Sequence, residues 1–226
     1  GMSHLKTDGL IDLIECDPPY GVDLGAIADR DARGEVIRER DDAYNEIPKE
    51  KYPEFLSRLT AETYRVAGKN SWMIFWFAFE WHAEVLAALT EDGWKVDKVP
   101  GIWMKENGRT PRPDILLARA YEPFFIALKC MPTIIRQGRT NLYMRSADAK
   151  KYHPAQRPIG LMEDLINTFV DEGRGTVLVP FAGSGATLRA AYKLGHKTMG
   201  WDTNNEYKNQ FLLAVEEDTK KLLAKE

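Results

Sequence analysis

The sequence predicts a single α/β domain over residues 2–226, built on a mostly parallel sheet with helices on both faces. Three observations predict it. Short β-prone apolar runs alternate with stretches of helical spacing, the order in which parallel strands and crossover helices follow one another. The run at 71–78 is apolar throughout, as a strand covered on both sides must be. With 226 residues, 44% of them hydrophobic, the chain can bury one sizeable core and little more.

Composition removes other classes. Charged residues at 29%, with 17 glycines and 12 prolines, argue against a disordered, collagen-like or coiled-coil chain. No apolar run approaches the roughly 18 residues of a membrane span, and the start GMSHLKTDG has no signal-peptide core. A soluble, cytoplasmic protein is the expectation, with Gly1 read as a remnant of an expression tag. A net charge of −3 does not announce a nucleic-acid binder, so any such reading must rest on local charge. Cys16 and Cys130 lack the C-x-x-C spacing of a zinc or redox site. Both lie in apolar strand-like runs and are expected to be buried, inert thiols, and no metal site is expected.

The elements follow in order. Residues 10–16 form a short apolar run that Pro18 and Pro19 end, because neither can donate a ladder hydrogen bond, so the strand delivers Asp17 to its carboxyl end. Residues 23–51 hold nine acidic and six basic positions and read as a solvated, mobile insertion. Helical spacing returns at Phe55, Leu56, Leu59, Thr63, Val66 and Ala67, with Gly68 as the cap. A strand at 71–78, a helix at 80–89, and strands at 94–103 and 121–130 follow, the last two joined by a Pro/Gly/Arg-rich loop at 106–119. Periodicity then fades. Residues 158–172 read as a helix and 176–179 as a strand; Pro180 to Thr187 then opens a helix that runs through Leu194 and is stopped by Gly195, and 197–201 reads as a strand ending at Asp202. A last helix carries Tyr207, Phe211, Val215 and Leu222 on one face.

In such sheets ligands bind at the carboxyl ends of the strands. Gly183-Ser184-Gly185 opens a helix after a strand, and Asp202 ends the next strand. Glycines remove the Cβ that keeps a ligand from the backbone, the helix start offers free N–H groups, and a carboxylate on the second strand can hold two ribose hydroxyls. That pattern suits a nucleoside cofactor. Leu188 stands where a dinucleotide fingerprint has its third glycine, and a plain strand-to-helix turn is the competing reading. In Asp17-Pro18-Pro19-Tyr20 the prolines fix φ, so a carboxylate, a carbonyl and an aromatic ring point in set directions. A planar base can stack on Tyr20 while its exocyclic amine donates to Asp17 and to the Pro18 carbonyl. The competing reading is an Asx-type turn.

Together the two motifs resemble the S-adenosylmethionine-dependent DNA amino-methyltransferases. Their order, DPPY before Phe181-Ala182-Gly183-Ser184-Gly185, is similar to that of the permuted beta class. Residues 152–158 (YHPAQRP), 121–129 (YEPFFIALK) and Gly200-Trp201-Asp202 with Tyr207 resemble further segments of that class. The resemblance implies a Rossmann-like methyltransferase sheet, circularly permuted, with an antiparallel edge hairpin and one N-terminal strand missing. It implies direct methyl transfer to the N6 amine of adenine in double-stranded DNA, with Asp17, Pro18, Pro19 and Tyr20 at the base. Pro180, Phe181, Gly183, Ser184 and Gly185 would cradle the cofactor, Asp202 would bind its ribose, and Arg157 would face its carboxylate. Neither cysteine follows a proline, so the Pro-Cys nucleophile of cytosine-C5 methyltransferases is absent. Restriction–modification, phage self-protection and epigenetic marking all fit. A weakened, DNA-binding relative and a cytosine-N4 enzyme stand as alternatives.

Two departures bear on that implication. The family usually has Asp where this chain has Val179, which forfeits about 1.5–3 kcal/mol if that acid holds the cofactor's ammonium, about ten- to a hundredfold in affinity; Glu163 or another carboxylate would have to substitute. Only about nine residues precede Leu10, so the expectation is a domain of a longer polypeptide or a shortened sheet. The segment 131–152 is basic, and Arg136, Arg139, Arg145, Lys150, Lys151 and Arg157 suggest a small target-recognition region on phosphate, although a charge run is also an ordinary solvated face. His153 reads as a packing residue, since this transfer needs no strong base.

Overall fold

Alternation of buried side chains between two apolar layers explains why the strands stack as they do. In β1 (Leu13–Cys16) every residue is buried; Leu13 enters one layer, and Ile14 and Cys16 the other. The computed structural model describes residues 1–6, 9–21, 29–30, 36–38, 47–110, 113–146, 148 and 156–223. Most of the charged segment 23–51 lies outside them. Of it, β2 (Asp29–Arg30) and β3 (Val36–Arg38) form an antiparallel pair.

After α1 (Tyr52–Val66) comes β4 (Ser71–Trp76), buried at all six positions. Next are α2 (His82–Glu91), β5 (Lys95–Val96), β6 (Gly101–Arg109), β7 (Arg119–Lys129) and β8 (Leu142–Met144). The chain ends with α3 (Ile159–Phe169), β9 (Thr176–Val179), α4 (Ala186–Lys193), β10 (Lys197–Gly200) and α5 (Asn205–Leu223). The main sheet has the order β10-β9-β1-β4-β7-β6-β8, with β5 also on β7. Strands β10, β9, β1 and β4 are parallel; β7 runs against β4, β5 and β6, and β8 is parallel to β6. The mostly parallel sheet with its antiparallel hairpin is as expected. One layer takes α1 and α2, the other α3 and α4.

Several sequence expectations need correction. The strand expected over 94–103 is two strands, β5 and β6, parted around Pro100, whose missing N–H breaks a ladder. The loop expected at 106–119 is shorter, because both strands of the hairpin run into it. β8 was not foreseen. Gly68 is not the helix cap: Ala67 is, in extended conformation, and a Cβ on Gly68 would lie 2.6 Å from the Ile11 carbonyl oxygen, so glycine is there to let α1 turn tightly past the start of β1. Cys16 is buried but Cys130 is exposed, at φ +55° just beyond β7, where the strand turns away from the layers. Among the described side chains of α5, Ala214 is fully buried, with Tyr207, Phe211 and Val215 half-buried beside it; the side chain of Leu222 lies outside the described ones.

The connections place the site. The crossover from β1 through α1 leads to β4 on one side, while that from β9 through α4 leads to β10 on the other. β1 and β9 are paired neighbours, so the chain departs in opposite directions from adjacent strands. That is a topological switch point, where sheets of this kind form their ligand crevice at the carboxyl ends of the strands.

Candidate active site

The two loops singled out by their chemistry leave the sheet at this switch point. The pairing Leu13↔Val177 and Ile14↔Leu178, continued, sets Asp17 level with Phe181. Two prolines end β1 and hold the first loop off the sheet. Gly21, at φ +61°, closes it against α1, where a Cβ would meet the Tyr52 ring at 2.6 Å.

Asp17 is the hub of a charged network. Its Oδ1 accepts hydrogen bonds from the Tyr20 hydroxyl at 2.7 Å and from Arg157 Nη2 at 2.6 Å, and the same Nη2 donates to Tyr20 at 2.9 Å. Arg157 Nη1 donates to Glu122 Oε2, and Lys105 donates to Glu122 Oε1. The guanidinium carbon lies over the Trp76 ring, 3.6 Å from its centre, and only 6% of the Arg157 side chain is exposed. A buried cation of this kind persists because anions surround it. Burial alone would lower the Arg157 pKa, but Asp17, Tyr20, Glu122 and Glu15 raise it well above its usual range. Burial likewise works to raise Glu122, and Arg157 and Lys105 outweigh it, leaving its carboxyl below the ordinary value. Burial, then Asp17, pushes Tyr20 well up, which keeps its hydroxyl a neutral donor.

Arg157 therefore has its hydrogen-bond partners on the Asp17 side, in Asp17, Tyr20 and Glu122. It is also withdrawn from the basic surface. Of the remaining arginines there, Arg139 and Arg145 both pair with Asp164. Residues 149–155, with Lys150, Lys151 and His153, lie outside the described residues.

The second loop is held by backbone. Ala182 N–H donates to the Trp201 carbonyl and Gly185 N–H to the Ala182 carbonyl, at 2.8 and 2.7 Å. Asp202 accepts from Gly183 N–H and from Asn204 N–H, each at 2.8 Å, which spends one lone pair of each oxygen and leaves others for a ligand. Gly183 and Gly185 have φ +49° and +75°. A Cβ on Gly183 would meet nothing within 4 Å, whereas one on Gly185 would enter the Phe211 ring. Pro180 is buried, and Phe181 meets Phe55 edge-on at 6.2 Å. Ser184 donates to Gln156, and Gln156 to Asp148, joining this loop to the segment before α3. The missing third glycine is supplied by β10: Gly200 packs where a Cβ would lie 3.0 Å from Leu188.

Sequence reasoning missed Glu15. It is 3% exposed, in the layer of Leu13, Val179 and Trp76, and Trp76 Nε1 donates to its Oε1 at 2.8 Å. Burial, helped by Asp17, pushes its carboxyl to about 7, against Arg157 and hydrogen bonds from Thr187 and Trp76. The signal was present: a carboxylate inside an otherwise apolar strand buried on both faces. Val179 is 1% exposed in that apolar layer. Glu163 does not substitute for an acid there, since it pairs with Lys193 at 2.6 Å on the outer side of α3 and α4.

A model of a family described as DNA methylase, covering N6 and N4 enzymes, matches residues 11–213. The type II methyltransferase M.HpaI of Haemophilus parainfluenzae is 27% identical over 225 residues, 87% of this chain and 65% of M.HpaI. Among solved structures, the complex of M1.HpyAVI with S-adenosylmethionine superposes with a TM-score of 0.67 at 19% identity, covering 91% of this chain and 89% of that one. The cytosine-N4-specific PvuII DNA methyltransferase gives 0.70 at 16% identity, over 93% and 81%. At these identities the two structures speak for the fold.

Proposed function

The chain belongs to the N6/N4 family of S-adenosylmethionine-dependent DNA methylases, and we propose that it methylates the exocyclic N6 amine of adenine in DNA. The observation that carries this reading is the meeting of Asp17 and the glycine loop at one switch point. The Asp at the head of the DPPY tetrapeptide favours adenine.

The residues fit the cofactor. Gly183 presents bare backbone toward open space, and Asp202, already oriented by two N–H groups, keeps acceptor capacity for ribose hydroxyls. Pro180, Phe181, Ser184 and Gly185 shape the rest of the cradle. Bound there, S-adenosylmethionine supplies a methyl group on an electron-poor sulfonium. The chain's own work is to present a nucleophile. The Asp17 carboxylate and the Pro18 carbonyl accept the two amine hydrogens, which draws the nitrogen toward sp³ geometry and frees its lone pair. Pro19 keeps that carbonyl in place by fixing the turn. Tyr20 offers a ring for stacking while its hydroxyl stays on Asp17. Arg157 fixes the carboxylate's orientation from beneath and, with Tyr20, occupies Oδ1, leaving Oδ2 for the amine. The amine proton leaves to Asp17 or water, so no strong base is needed. In duplex DNA the target base must leave the stack to reach Asp17.

Likeness to the cytosine-N4-specific PvuII enzyme favours cytosine N4 as the second reading. The test is to incubate unmethylated duplex DNA with labelled cofactor and digest it to nucleosides. Label in N6-methyldeoxyadenosine is expected. Label in N4-methyldeoxycytidine moves the assignment to the second reading, and no label in either contradicts both.

A further inference from the structure

Among the described residues, Glu15 is a buried carboxylate at the switch point that the proposed reaction leaves without a task. It stands on β1 two residues before Asp17, and the β1–β9 register, continued one step, puts it beside Val179. Both side chains enter the layer covered by α3 and α4. Thr187, which favours its ionised form by hydrogen bonding, is the second residue of α4, directly after the glycine loop. Glu15 thus lies under the junction of the two loops, one strand away from the position where the family usually carries an acid. Being a methylene longer than Asp, it can cover part of that lateral step.

Trp76 and Thr187, the hydrogen-bond donors to Glu15, are neutral. No ion pair formed by the described residues includes it. The charged groups that act on it are Asp17 from its own loop and Arg157 from the segment before α3. Arg157 is already shared among Asp17, Tyr20 and Glu122, and Lys105 is held by Glu122. A buried carboxylate without a cationic partner is costly unless a ligand supplies one.

We propose that Glu15 is a cofactor-binding residue that takes over on β1 the charge missing from β9, holding the primary ammonium of the cofactor's amino-acid end. The assignment rests on the cofactor site of the preceding section. Ionisation is linked to it. Burial holds the free carboxyl at about 7. An ammonium binds the ionised form, so binding releases a proton below that pH. Affinity then rises about tenfold per pH unit up to about 7 and levels above it.

Calorimetry on the intact chain tests this without methyl transfer, using S-adenosylhomocysteine, which carries the ammonium, and 5′-methylthioadenosine, which lacks the amino-acid end. Glu15→Gln keeps an acceptor for Trp76 but removes the charge. It is expected to weaken S-adenosylhomocysteine about ten- to a hundredfold, to leave 5′-methylthioadenosine unchanged, and to abolish the pH slope. Adding Val179→Asp to Glu15→Gln is expected to restore part of the loss, and the rescue also shows that the variant pocket is folded. Wild-type binding that Glu15→Gln leaves unaltered, or equal weakening of both ligands, overturns the assignment while the cofactor site stands. Failure of the wild type to saturate with either ligand overturns the cofactor site and the assignment together.

Discussion

The loops after β1 and β9 leave neighbouring strands at the same end of one sheet, yet they are held in opposite ways. The first is built from side chains: Asp17, Tyr20, Arg157 and Glu122 form a largely buried charged cluster on the face of Trp76. The second is built from backbone, with Gly183 and Gly185 at positive φ and N–H groups directed to carbonyls and to Asp202. Under the proposed function the difference follows from two tasks. An amine must be met by acceptors in fixed directions, which takes charge and preorganisation. A bulky nucleoside must come close to the chain, which takes the absence of side chains.

If that division holds, substitutions on the two sides fail differently. Asp17→Ala is expected to cut the rate of methyl incorporation by about 10²–10³ or more, the scale of losing a preorganised electrostatic group, while S-adenosylhomocysteine still binds in calorimetry. Weaker binding with an unaltered rate at saturation would erase the contrast. Arg157→Ala strands Asp17 and Glu122 without their shared cation and is expected to cost about 3–5 kcal/mol of stability by urea denaturation. Arg157→Lys should recover only part of that, because an ammonium cannot serve Asp17 and Glu122 with two forked donors. On the other side, Gly185→Ala combines a left-handed backbone with a collision at Phe211, and a loss of about 2–4 kcal/mol is expected by the same method. Gly183→Ala, facing open space, should cost only about 1–2 kcal/mol of backbone strain but weaken S-adenosylhomocysteine. Equal stability losses at the two glycines would show that the open space beside Gly183 has no special role.

Much of the fold was legible because apolar period and punctuation agree. β4 has no polar interruption, β1 is cut by Pro18-Pro19, and α4 follows a glycine loop. β8 escaped because its three residues bury only Tyr143, leaving Leu142 and Met144 exposed, so no alternation longer than one step exists to be read. Cys130 was misjudged because an apolar run says nothing about where a strand ends and the chain turns outward. The site was legible as two motifs but not as a network. Nothing in the order of residues joins Arg157 to Asp17, 140 positions away, or to Glu122 across the hairpin. Those partners are set by the sheet order, in which β7 lies beside β4 and brings Glu122 to the face of Trp76. Val179 looked like a deficit when read along β9 alone, and only the pairing of β9 with β1 sets Glu15 beside it.

The most direct test of the shared crevice is a crystal structure of the chain with S-adenosylhomocysteine bound. The ribose is expected on Asp202, the chain of the ligand along 181–185, and the sulfur facing the Asp17–Tyr20 loop across the gap between β9 and β1. A ligand seated elsewhere, or one whose sulfur is walled off from Asp17, would contradict the account.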